Sequence, residues 1–245
     1  FRSRPEIEFL IYEPADCRVG EWFAGLANVR ARPTPVPSAG RMRKLARGAG
    51  FWKPALARDR LDLFEAFNLP LVRAPDCPTI LTVHDTRQIR PGTPPIQRAV
   101  AAAAWRHALA GADHVITVSR TMRAEIQAFR PCAAVTVVHN GLDPTPFRRP
   151  TPERLEAARV RSGLPPGFIL CVSHLEARKN LETLVEAVAR LRSAGRETPL
   201  VIVGRDGGAR AALEARIQAL DLGEQVRLLD GVGDAELVDL YSLCG

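Results

Sequence analysis

The most informative segment of the chain is FILCVSHLEARKNLETLVEAV, residues 168–188. It reads as an apolar strand, a short turn that carries Arg178, Lys179 and Asn180, and an amphipathic helix. In open parallel sheets, ligands bind beyond the carboxyl ends of the strands, where loops meet helix N-termini. A cationic pair at such a helix start favours a diphosphate, because the exposed N–H groups and both positive charges attract anions. The alternative is a solvated basic turn in which Asn180 caps the helix.

Strand-like and helical patterns alternate along the rest of the chain. Short runs rich in Val, Ile and Leu are followed by helical periodicities, which predicts an α/β fold with parallel sheets covered on both faces. The predicted strands are Ile7–Tyr12, Leu61–Phe67, Thr79–His84, His114–Ser119, Val135–His139, Phe168–Ser173, Leu200–Gly204 and Val226–Asp230. The predicted helices are Pro95–Leu109, Arg120–Phe129, Thr151–Ser162, Leu181–Ser193, Ala209–Leu220 and Ala235–Leu243. We expect Ser119, Thr151 and Asp234 to cap the helices that follow them.

A turn-rich segment divides the chain. Residues 140–146, NGLDPTP, contain turn formers and two prolines with little to bury. We therefore predict a first domain over residues 1–145 and a second over residues 146–245. A chain of 245 residues that is 46% hydrophobic can bury the cores of two such domains.

Composition favours a cytoplasmic protein. No run approaches the roughly 18 consecutive apolar residues of a membrane span, and no secretory signal precedes the first strand. The five cysteines, at positions 17, 77, 132, 171 and 244, show neither metal-ligand spacing nor an even disulfide framework. We expect a reducing compartment and no metal site.

The formal net charge of +7 is unevenly distributed. Residues 41–60 contain seven Lys and Arg residues, one acid, Asp59, and the aromatic pair Phe51 and Trp52. Basic residues interleaved with exposed aromatic residues suit an anionic membrane surface or a lipid-phosphate acceptor, at about 1 kcal/mol per basic residue. The alternative is a solvated loop of an arginine-rich protein. Nucleic acid is not an expected partner, because no helix-turn-helix, zinc or ribonucleoprotein motif accompanies the charge.

Two further strand ends carry residues suited to chemistry. Strand Leu200–Gly204 runs into GRDGG, residues 204–208, whose glycines would let the backbone approach a phosphate or a sugar. Strand Thr79–His84 leads into Asp85. His84 could orient a substrate hydroxyl, stabilise charge or serve as a structural hydrogen-bonding group, and Asp85 could cap a turn or bond the His84 ring. His139 we interpret as structural. The chain has no GxGxxG fingerprint, P-loop, HExxH motif or Ser-His-Asp order.

Six segments, taken in order, resemble the retaining glycosyltransferases of family 4, which have the GT-B architecture. The segments are TILTVHD (79–85), ADHVITVSRTMRAEI (112–126), VTVVHNGLD (135–143), FILCVSHLEARKNLETLVEAV (168–188), PLVIVG (199–204) and VRLLDGVGDAELVDLY (226–241). The resemblance covers nearly all of the chain from Ile7 onward. It implies two Rossmann-like domains with parallel sheets, the first binding the acceptor and the second the nucleotide-sugar, without a catalytic metal or other cofactor.

The resemblance also implies roles for residues at matching positions. Arg178 and Lys179 would clamp the donor diphosphate and neutralise the leaving nucleotide, as a basic pair can do in place of a metal. His84 would reach the transferred sugar. Glu176 would hold Arg178 in place, and residues 230–232 would contact the nucleotide base. The full set of expected donor-binding residues is Ser173, Glu176, Gly204, Asp230, Gly231 and Val232. Acceptor-side or interdomain roles fall on Asp85, Asn140 and Gly141.

Two segments of the family pattern are absent from the chain. The glycine-rich loop after the family's first strand should precede Ile7, and a Glu-x7-Glu segment should follow Leu243. We therefore expect a fragment of a longer protein that lacks its first strand-helix unit and the end of its second domain. Such a fragment would show little or no turnover by itself.

The leading hypothesis is a glycosyltransferase acting with retention of configuration. It would move a hexose, with mannose the candidate sugar, from a GDP-, UDP- or dTDP-linked donor to a glycan or lipid-linked acceptor. The RKN form of the basic turn resembles family members that act in surface-polysaccharide assembly. We expect the protein in the cytoplasm, with residues 41–60 in peripheral contact with the inner membrane face. Two alternatives stay open: a nucleotide-sugar 2-epimerase of the same architecture, whose acid-base residues we do not find, and a non-catalytic nucleotide-sugar-binding module.

Overall fold

The computed structural model describes residues 2–67, 72–131 and 134–245, with the side chains of residues 41, 42, 45 and 146 left aside. Cys132 therefore lies outside the described residues. The chain divides into two compact units, Phe1–Gly141 and Leu142–Gly245, so the division falls inside the turn-rich segment 140–146. Each unit is an α/β structure built on parallel strands, as the alternating pattern predicts.

In the first unit, the described strands form two parallel sheets. β1 (Phe9–Glu13) pairs with β2 (Val29–Pro33). The second sheet has the order β3 (Phe64–Phe67), β4 (Thr79–Val83), β5 (His114–Thr117) and β6 (Val135–Val137). All three pairs of this sheet are parallel, and β4 is buried at four of its five positions, as its apolar sequence requires.

The described residues of this unit form four α-helices. They are α1 (Arg41–Gly48), α2 (Trp52–Asp59), α3 (Pro95–Gly111) and α4 (Arg120–Phe129). Trp105 of α3 and Ile126 of α4 are buried in one core cluster with Leu81 of β4. α4 begins where predicted, because the Ser119 hydroxyl accepts a hydrogen bond from the Met122 N–H (3.1 Å). Within the described chain, no helix has the length and apolar character needed to cross a membrane.

The second unit contains a single described sheet, with the order β7 (Ile169–Val172), β8 (Leu200–Val203) and β9 (Val226–Leu229), all parallel. Its described helices are α5 (Pro152–Ser162), α6 (Leu181–Ser193), α7 (Arg210–Ala219) and α8 (Asp234–Leu243). Leu200 and Ile202 of β8 pack with α6 and α7, whereas Val201 and Val203 pack with Phe168 and α8. Because helices lie on both faces of the sheet, every residue of β8 is apolar and buried.

Sequence patterns do not predict β2, α1 or α2. β2 has the sequence VRARP, in which arginines and a proline interrupt any apolar run. The solvated-loop interpretation of residues 41–60 is wrong, because the segment forms two helices and buries Ala55 and Leu56 of α2. In the sequence those two residues are flanked by Lys53 and Arg58, and the apolar run of α2 is therefore too short to stand out.

The N-cap predicted at Asp234 is wrong by one residue. α8 begins at Asp234 itself, and Gly233 takes the cap position, where it has no side chain to offer. Asp234 still lies in the first turn, where a carboxylate opposes the positive end of the helix dipole. Thr151 caps α5 as predicted, with its hydroxyl accepting from the Arg154 N–H (3.4 Å).

Candidate functional site

The candidate donor site consists of loops at the carboxyl edge of the second unit's sheet. The loop after β7, residues 173–180, lies against the loop after β8, residues 204–209. The Leu175 N–H donates to the Arg205 carbonyl (2.9 Å), and the Leu175 carbonyl accepts from the Gly207 N–H (3.0 Å). The Leu175 side chain is buried in the core between β8, α6 and α7. The first loop is therefore held through both its backbone and its side chain.

Two glycines of the second loop are required by this close packing. A Cβ atom at Gly204 would lie 2.0 Å from the Ser173 carbonyl oxygen, and one at Gly207 would lie 2.4 Å from Cγ of Glu176. A side chain at Gly204 would push the two loops apart, whereas one at Gly207 would displace the Glu176 side chain and lie 3.2 Å from the Leu175 carbonyl oxygen. Sequence reasoning assigns the space at Gly204 to a phosphate or sugar, whereas the structure places the backbone of the neighbouring loop there. The donor-binding role of Gly204 stays a prediction.

The two cations of the basic turn, Arg178 and Lys179, differ in their ion pairing. Ala177–Lys179 form a single 3-10 turn before α6. Arg178 forms the ion pair with Glu176 that the sequence predicts, and this hydrogen bond holds the pKa of the Glu176 carboxyl below its ordinary value. Lys179 is exposed, and no carboxylate of the described residues lies within 4.0 Å of its ammonium group. Lys179 is therefore the cation that an anionic ligand can reach without displacing a carboxylate.

Asn180 leads the chain into α6 through a left-handed backbone conformation, with φ of 52°. Its Oδ1 accepts a hydrogen bond from the Thr183 hydroxyl (3.0 Å). Asn180 occupies the N-cap position, as the alternative interpretation expects, but within the described chain its side chain makes no hydrogen bond to the helix backbone. The Thr183 N–H donates to the Asn180 carbonyl (3.2 Å), whereas the Asn180 side chain occupies no N–H group of the first turn, and N–H groups at a helix start bind phosphate.

The loop after β9 reaches the same edge of the sheet, because the strands are parallel. The Asp230 carboxylate accepts from the Gly231 N–H (2.8 Å) and lies 3.8 Å from the Arg210 guanidinium. Val232 packs against the cluster that contains Phe168. Contact with a ligand here would therefore involve the backbone rather than the Val232 side chain.

Sequence reasoning assigns no role to Asp206 or Arg210, although both order the second loop. Oδ1 of Asp206 accepts from the N–H groups of Gly208 (2.8 Å) and Arg210 (3.1 Å), and these bonds hold the pKa of Asp206 below its ordinary value. The Arg210 side chain in turn reaches Glu214 (3.2 Å) and Asp230. The sequence does contain a signal for the role of Asp206, because an Asp that precedes two glycines and a helix is typical of a turn closed by the Asp side chain.

In the first unit, His84 and Asp85 follow β4 as predicted. The His84 ring is exposed and makes no hydrogen bond with any described residue. Asp85 accepts from the Arg87 N–H (3.1 Å) and pairs with the Arg87 side chain (3.3 Å). His84 thus has a ring available for a substrate, whereas Asp85 closes a local turn.

A buried hydroxyl anchors the loop that carries His84. Thr86 is only 2% exposed, and its hydroxyl donates to the Glu125 carboxylate on α4. Arg90 donates to both oxygens of the same carboxylate, at 2.8 and 3.0 Å. The Thr86 hydrogen bond, with the Arg90 charge adding to it, holds the pKa of Glu125 below its ordinary value. The loop after β4 is therefore fixed to α4.

Three candidate residues follow β6, namely His139, Asn140 and Gly141. Nδ1 of His139 donates to the Val118 carbonyl (3.0 Å), a contact of the kind that the structural interpretation of this histidine expects. Asn140 and Gly141 are exposed at the division between the two units. Among the residues that the structure describes, no three His, Cys, Asp or Glu side chains come together as a metal site.

Comparisons with known proteins cover both halves of the chain. Residues 8–146 match the family described as Glycosyltransferase Family 4, and residues 156–245 match the family described as Glycosyl transferases group 1. A GDP-mannose-dependent alpha-(1-6)-phosphatidylinositol monomannoside mannosyltransferase of Mycolicibacterium smegmatis is 34% identical over 140 residues, which make up 56% of this chain and 36% of that protein. The chain thus spans about a third of the length of this curated relative.

Solved structures share the fold. A sucrose-phosphate synthase of Thermosynechococcus elongatus superimposes with a TM-score of 0.73 at 19% identity, over 96% of this chain and 63% of its own. WaaG, a glycosyltransferase involved in lipopolysaccharide biosynthesis, gives 0.69 at 18% identity, over 96% and 64%. Anabaena HepE in complex with UDP and glucose gives 0.66 at 18% identity, over 96% and 64%. These likenesses confirm the predicted GT-B class of α/β fold. Since its family model spans more than half of the chain, the protein belongs to Glycosyltransferase Family 4.

Proposed function

We propose that the full-length protein transfers a hexose from a nucleotide-sugar donor to a glycan or lipid-linked acceptor, with retention of configuration and without a metal. The observation that carries the proposal is the basic turn at the start of α6, where Lys179 is exposed beside Arg178 and its Glu176 partner. Positive groups at this position would neutralise the charge that develops on a leaving nucleoside diphosphate. Membership of a glycosyltransferase family supports the same reaction class.

The candidate donor is GDP-mannose. Its support is the curated relative, whose name specifies GDP-mannose and a phosphatidylinositol monomannoside acceptor. A structural relative was solved with UDP and glucose, so a UDP-linked donor is the natural comparison. A lipid-linked acceptor, rather than a soluble sugar, is the acceptor class that this relative favours.

We also propose peripheral contact between residues 41–60 and an anionic membrane. α1 and α2 expose Arg43, Arg47 and Lys53. The predicted exposure of the aromatic pair is wrong, because Phe51 and Trp52 are half-buried and their rings pack edge to face at 5.2 Å. Charge, rather than insertion of aromatic rings, would therefore drive the contact.

Isothermal titration of GDP, UDP, dTDP and GDP-mannose tests the donor site. We expect saturable binding of one nucleotide, and binding at least roughly tenfold weaker in the Arg178→Ala/Lys179→Ala variant, because charge-assisted hydrogen bonds are lost. The matched control is Lys53→Ala/Arg196→Ala, which removes an exposed lysine and an exposed arginine outside the candidate site. Equal weakening by both variants, or by neither, would remove the basic turn from the donor site.

Measuring the turnover of the full-length protein distinguishes a glycosyltransferase from an epimerase and from a non-catalytic binding module. We expect transfer of radiolabelled sugar to a lipid-linked acceptor, and a kcat lowered by about a hundredfold in Lys179→Ala, as for loss of one charge-stabilising group. The melting temperature should not change, because Lys179 is exposed. Interconversion of the donor without acceptor would identify an epimerase. Binding without any turnover would identify a binding module.

A further inference from the structure

The exposed ring of His84 is placed by its backbone. Because the ring makes no hydrogen bond with any described residue, no polar neighbour orients it. The chain before His84 is fixed, since Val83 is fully buried in β4 and its carbonyl accepts a hydrogen bond from the Thr117 hydroxyl of β5 (3.1 Å). The attachment of the chain after it, residues 85–93, therefore decides how precisely the ring is held.

Residues 85–93 form a segment with its own internal hydrogen bonds. Asp85 accepts from the Arg87 N–H (3.1 Å), and the Thr86 carbonyl accepts from the Ile89 N–H (3.0 Å). The Thr93 hydroxyl donates to the Arg87 carbonyl (3.1 Å). These bonds give the segment a local shape, but they do not connect it to the rest of the first unit.

One carboxylate makes that connection. Among the described residues, every hydrogen bond that joins residues 85–93 to another segment ends on Glu125 of α4. Oε2 of Glu125 accepts from the Thr86 hydroxyl, and both carboxylate oxygens accept from Nη2 of Arg90, at 2.8 and 3.0 Å. The segment otherwise reaches the core through the apolar side chain of Ile89. Glu125 therefore supplies the directional part of the attachment.

Water cannot replace Glu125 at the Thr86 hydroxyl. Thr86 is buried, so removal of the carboxylate would leave its hydroxyl without a partner, and a buried polar group without a partner is unfavourable. The segment would have to move to hydrate the hydroxyl. Glu125 itself is held firmly, because Met122 and Ile126 on the same helix are buried in the core. The support is therefore more rigid than the segment that it holds.

We propose that Glu125 is a positioning residue for His84. Through Thr86 and Arg90 it fixes the segment that follows the histidine, and it thereby holds the imidazole ready for the transferred sugar. This proposal rests on the role of His84 in the proposed function. A misplacement of about 1 Å can lower a rate by about a hundredfold, so an attachment at a distance from the substrate can matter for turnover.

A double-mutant cycle in the full-length protein tests this coupling. Glu125→Ala should lower kcat at least roughly tenfold and leave the KM for the donor within about twofold, because the donor-binding candidates lie in the second unit. In a His84→Ala background, Glu125→Ala should lower kcat no further, because the residue through which it acts is gone. Glu125→Gln should retain more activity than Glu125→Ala, since its amide oxygen can still accept from Thr86.

The kinetics are measured well below the melting temperature of each variant, so that all are folded. Gln127→Ala is the matched control, because Gln127 is exposed on the same helix, and its kcat should be unchanged. An equal loss of kcat from Glu125→Ala with and without His84 would assign Glu125 to the fold alone and overturn the proposal. An unimpaired Glu125→Ala protein beside an impaired His84→Ala protein would do the same.

Backbone relaxation of the protein labelled with 15N-histidine gives a readout that needs no activity. The sequence has five histidines, and the His84 amide is assigned by its absence from the His84→Ala spectrum. We expect its order parameter to be about 0.85 in the wild-type protein and below about 0.6 in Glu125→Ala, whereas the His139 amide should stay rigid in both. A His84 amide that stays rigid in Glu125→Ala would overturn the proposal.

The two measurements distinguish this proposal from the proposed function. If His84→Ala leaves kcat unchanged, the role of His84 in transfer fails, and the relaxation data still decide whether Glu125 fixes the histidine. If His84→Ala impairs turnover and the amide stays rigid in Glu125→Ala, the positioning proposal alone fails. If Glu125→Ala does not fold, Thr86→Val replaces it, because this change exchanges the hydroxyl for a methyl group; the His84 amide must then become more mobile, and an unchanged amide rejects the proposal.

Discussion

At the residue scale, hydrogen bonding separates two histidines that look alike in the sequence. His84 follows β4 and His139 follows β6, each at the carboxyl end of a parallel strand. His139 donates to a backbone carbonyl, whereas the exposed His84 ring makes no bond with any residue described. A histidine with a backbone partner supports the fold, and one without a partner is available to a ligand.

This difference predicts opposite effects of two matched substitutions. His84→Ala should lower kcat of the full-length protein by about a hundredfold or more, the range of a catalytic side chain, and leave the melting temperature within about 2 °C. His139→Ala should cost about 1 kcal/mol of stability through its lost hydrogen bond and leave turnover nearly unchanged. Steady-state kinetics and calorimetry measure both. A destabilised but active His84→Ala protein would make this residue structural.

At the element scale, the loops after β7 and β8 form one rigid edge because small residues let them touch. The Leu175 backbone bonds the two loops together, and Gly204 leaves room for the Ser173 carbonyl. The basic turn with Lys179 belongs to the first of these loops. Its position therefore depends on a glycine that lies in a different loop.

Gly204→Ala should destabilise the second unit and weaken nucleotide binding together. The added methyl group meets the Ser173 carbonyl at 2.0 Å, and overpacking of this kind costs about 1–3 kcal/mol. Gly223→Ala is the matched control, because nothing lies within 4 Å of its added Cβ and the change should stay within about 0.5 kcal/mol. Urea unfolding monitored by circular dichroism measures the stability of each variant, and isothermal titration measures its affinity for the nucleotide. Weaker binding at unchanged stability would show that Gly204 serves the ligand directly.

The basic helices of the first unit predict a salt-sensitive membrane contact. Arg43→Glu/Arg47→Glu should weaken binding to phosphatidylglycerol vesicles at least roughly tenfold, because each basic residue near such a surface contributes about 1 kcal/mol. Arg196→Glu/Arg227→Glu makes the same charge change at exposed positions of the second unit. Vesicle co-sedimentation at two salt concentrations compares them. Equal loss in both variants would indicate attraction to total charge rather than to α1.

At the scale of the whole molecule, carboxylates that accept several hydrogen bonds are present in both units. Glu125 accepts from Thr86 and Arg90 in the first unit, and Asp206 accepts from two backbone N–H groups in the second. In both, these bonds lower the pKa below the ordinary value. Each carboxylate is thus more acidic in the folded chain than in the unfolded chain.

Stability should therefore fall on acidification. A group with a depressed folded pKa stabilises the fold at pH values above its unfolded pKa, about 4, and this contribution is lost as the pH falls through the folded pKa. We expect the melting temperature to decline below about pH 4 in scanning calorimetry from pH 7 to pH 3. Glu125→Gln and Asp206→Asn should lower it at pH 7 and flatten its pH dependence. A melting temperature that rises on acidification would contradict the assignment.

The sequence by itself determined the features that depend on neighbours a few residues apart. Hydrophobic periodicity and helix capping are local properties of the sequence. They therefore predict strand β7, the turn with Arg178 and Lys179, and the caps at Ser119 and Thr151. The pairing of Glu176 with Arg178 belongs to the same class. Ordered motifs of this kind were sufficient to identify the family from the residues alone.

Contacts between segments that are distant in sequence became visible only in the folded chain. Helix α2 is invisible in the sequence because Leu56 gains its burial from a core with Leu81 and Trp105. The space at Gly204 is filled by the Ser173 carbonyl, and Thr86 is bound by Glu125, 39 positions further along. Packing of this kind depends on which strands become neighbours, and strand order is set by crossovers that leave no local pattern.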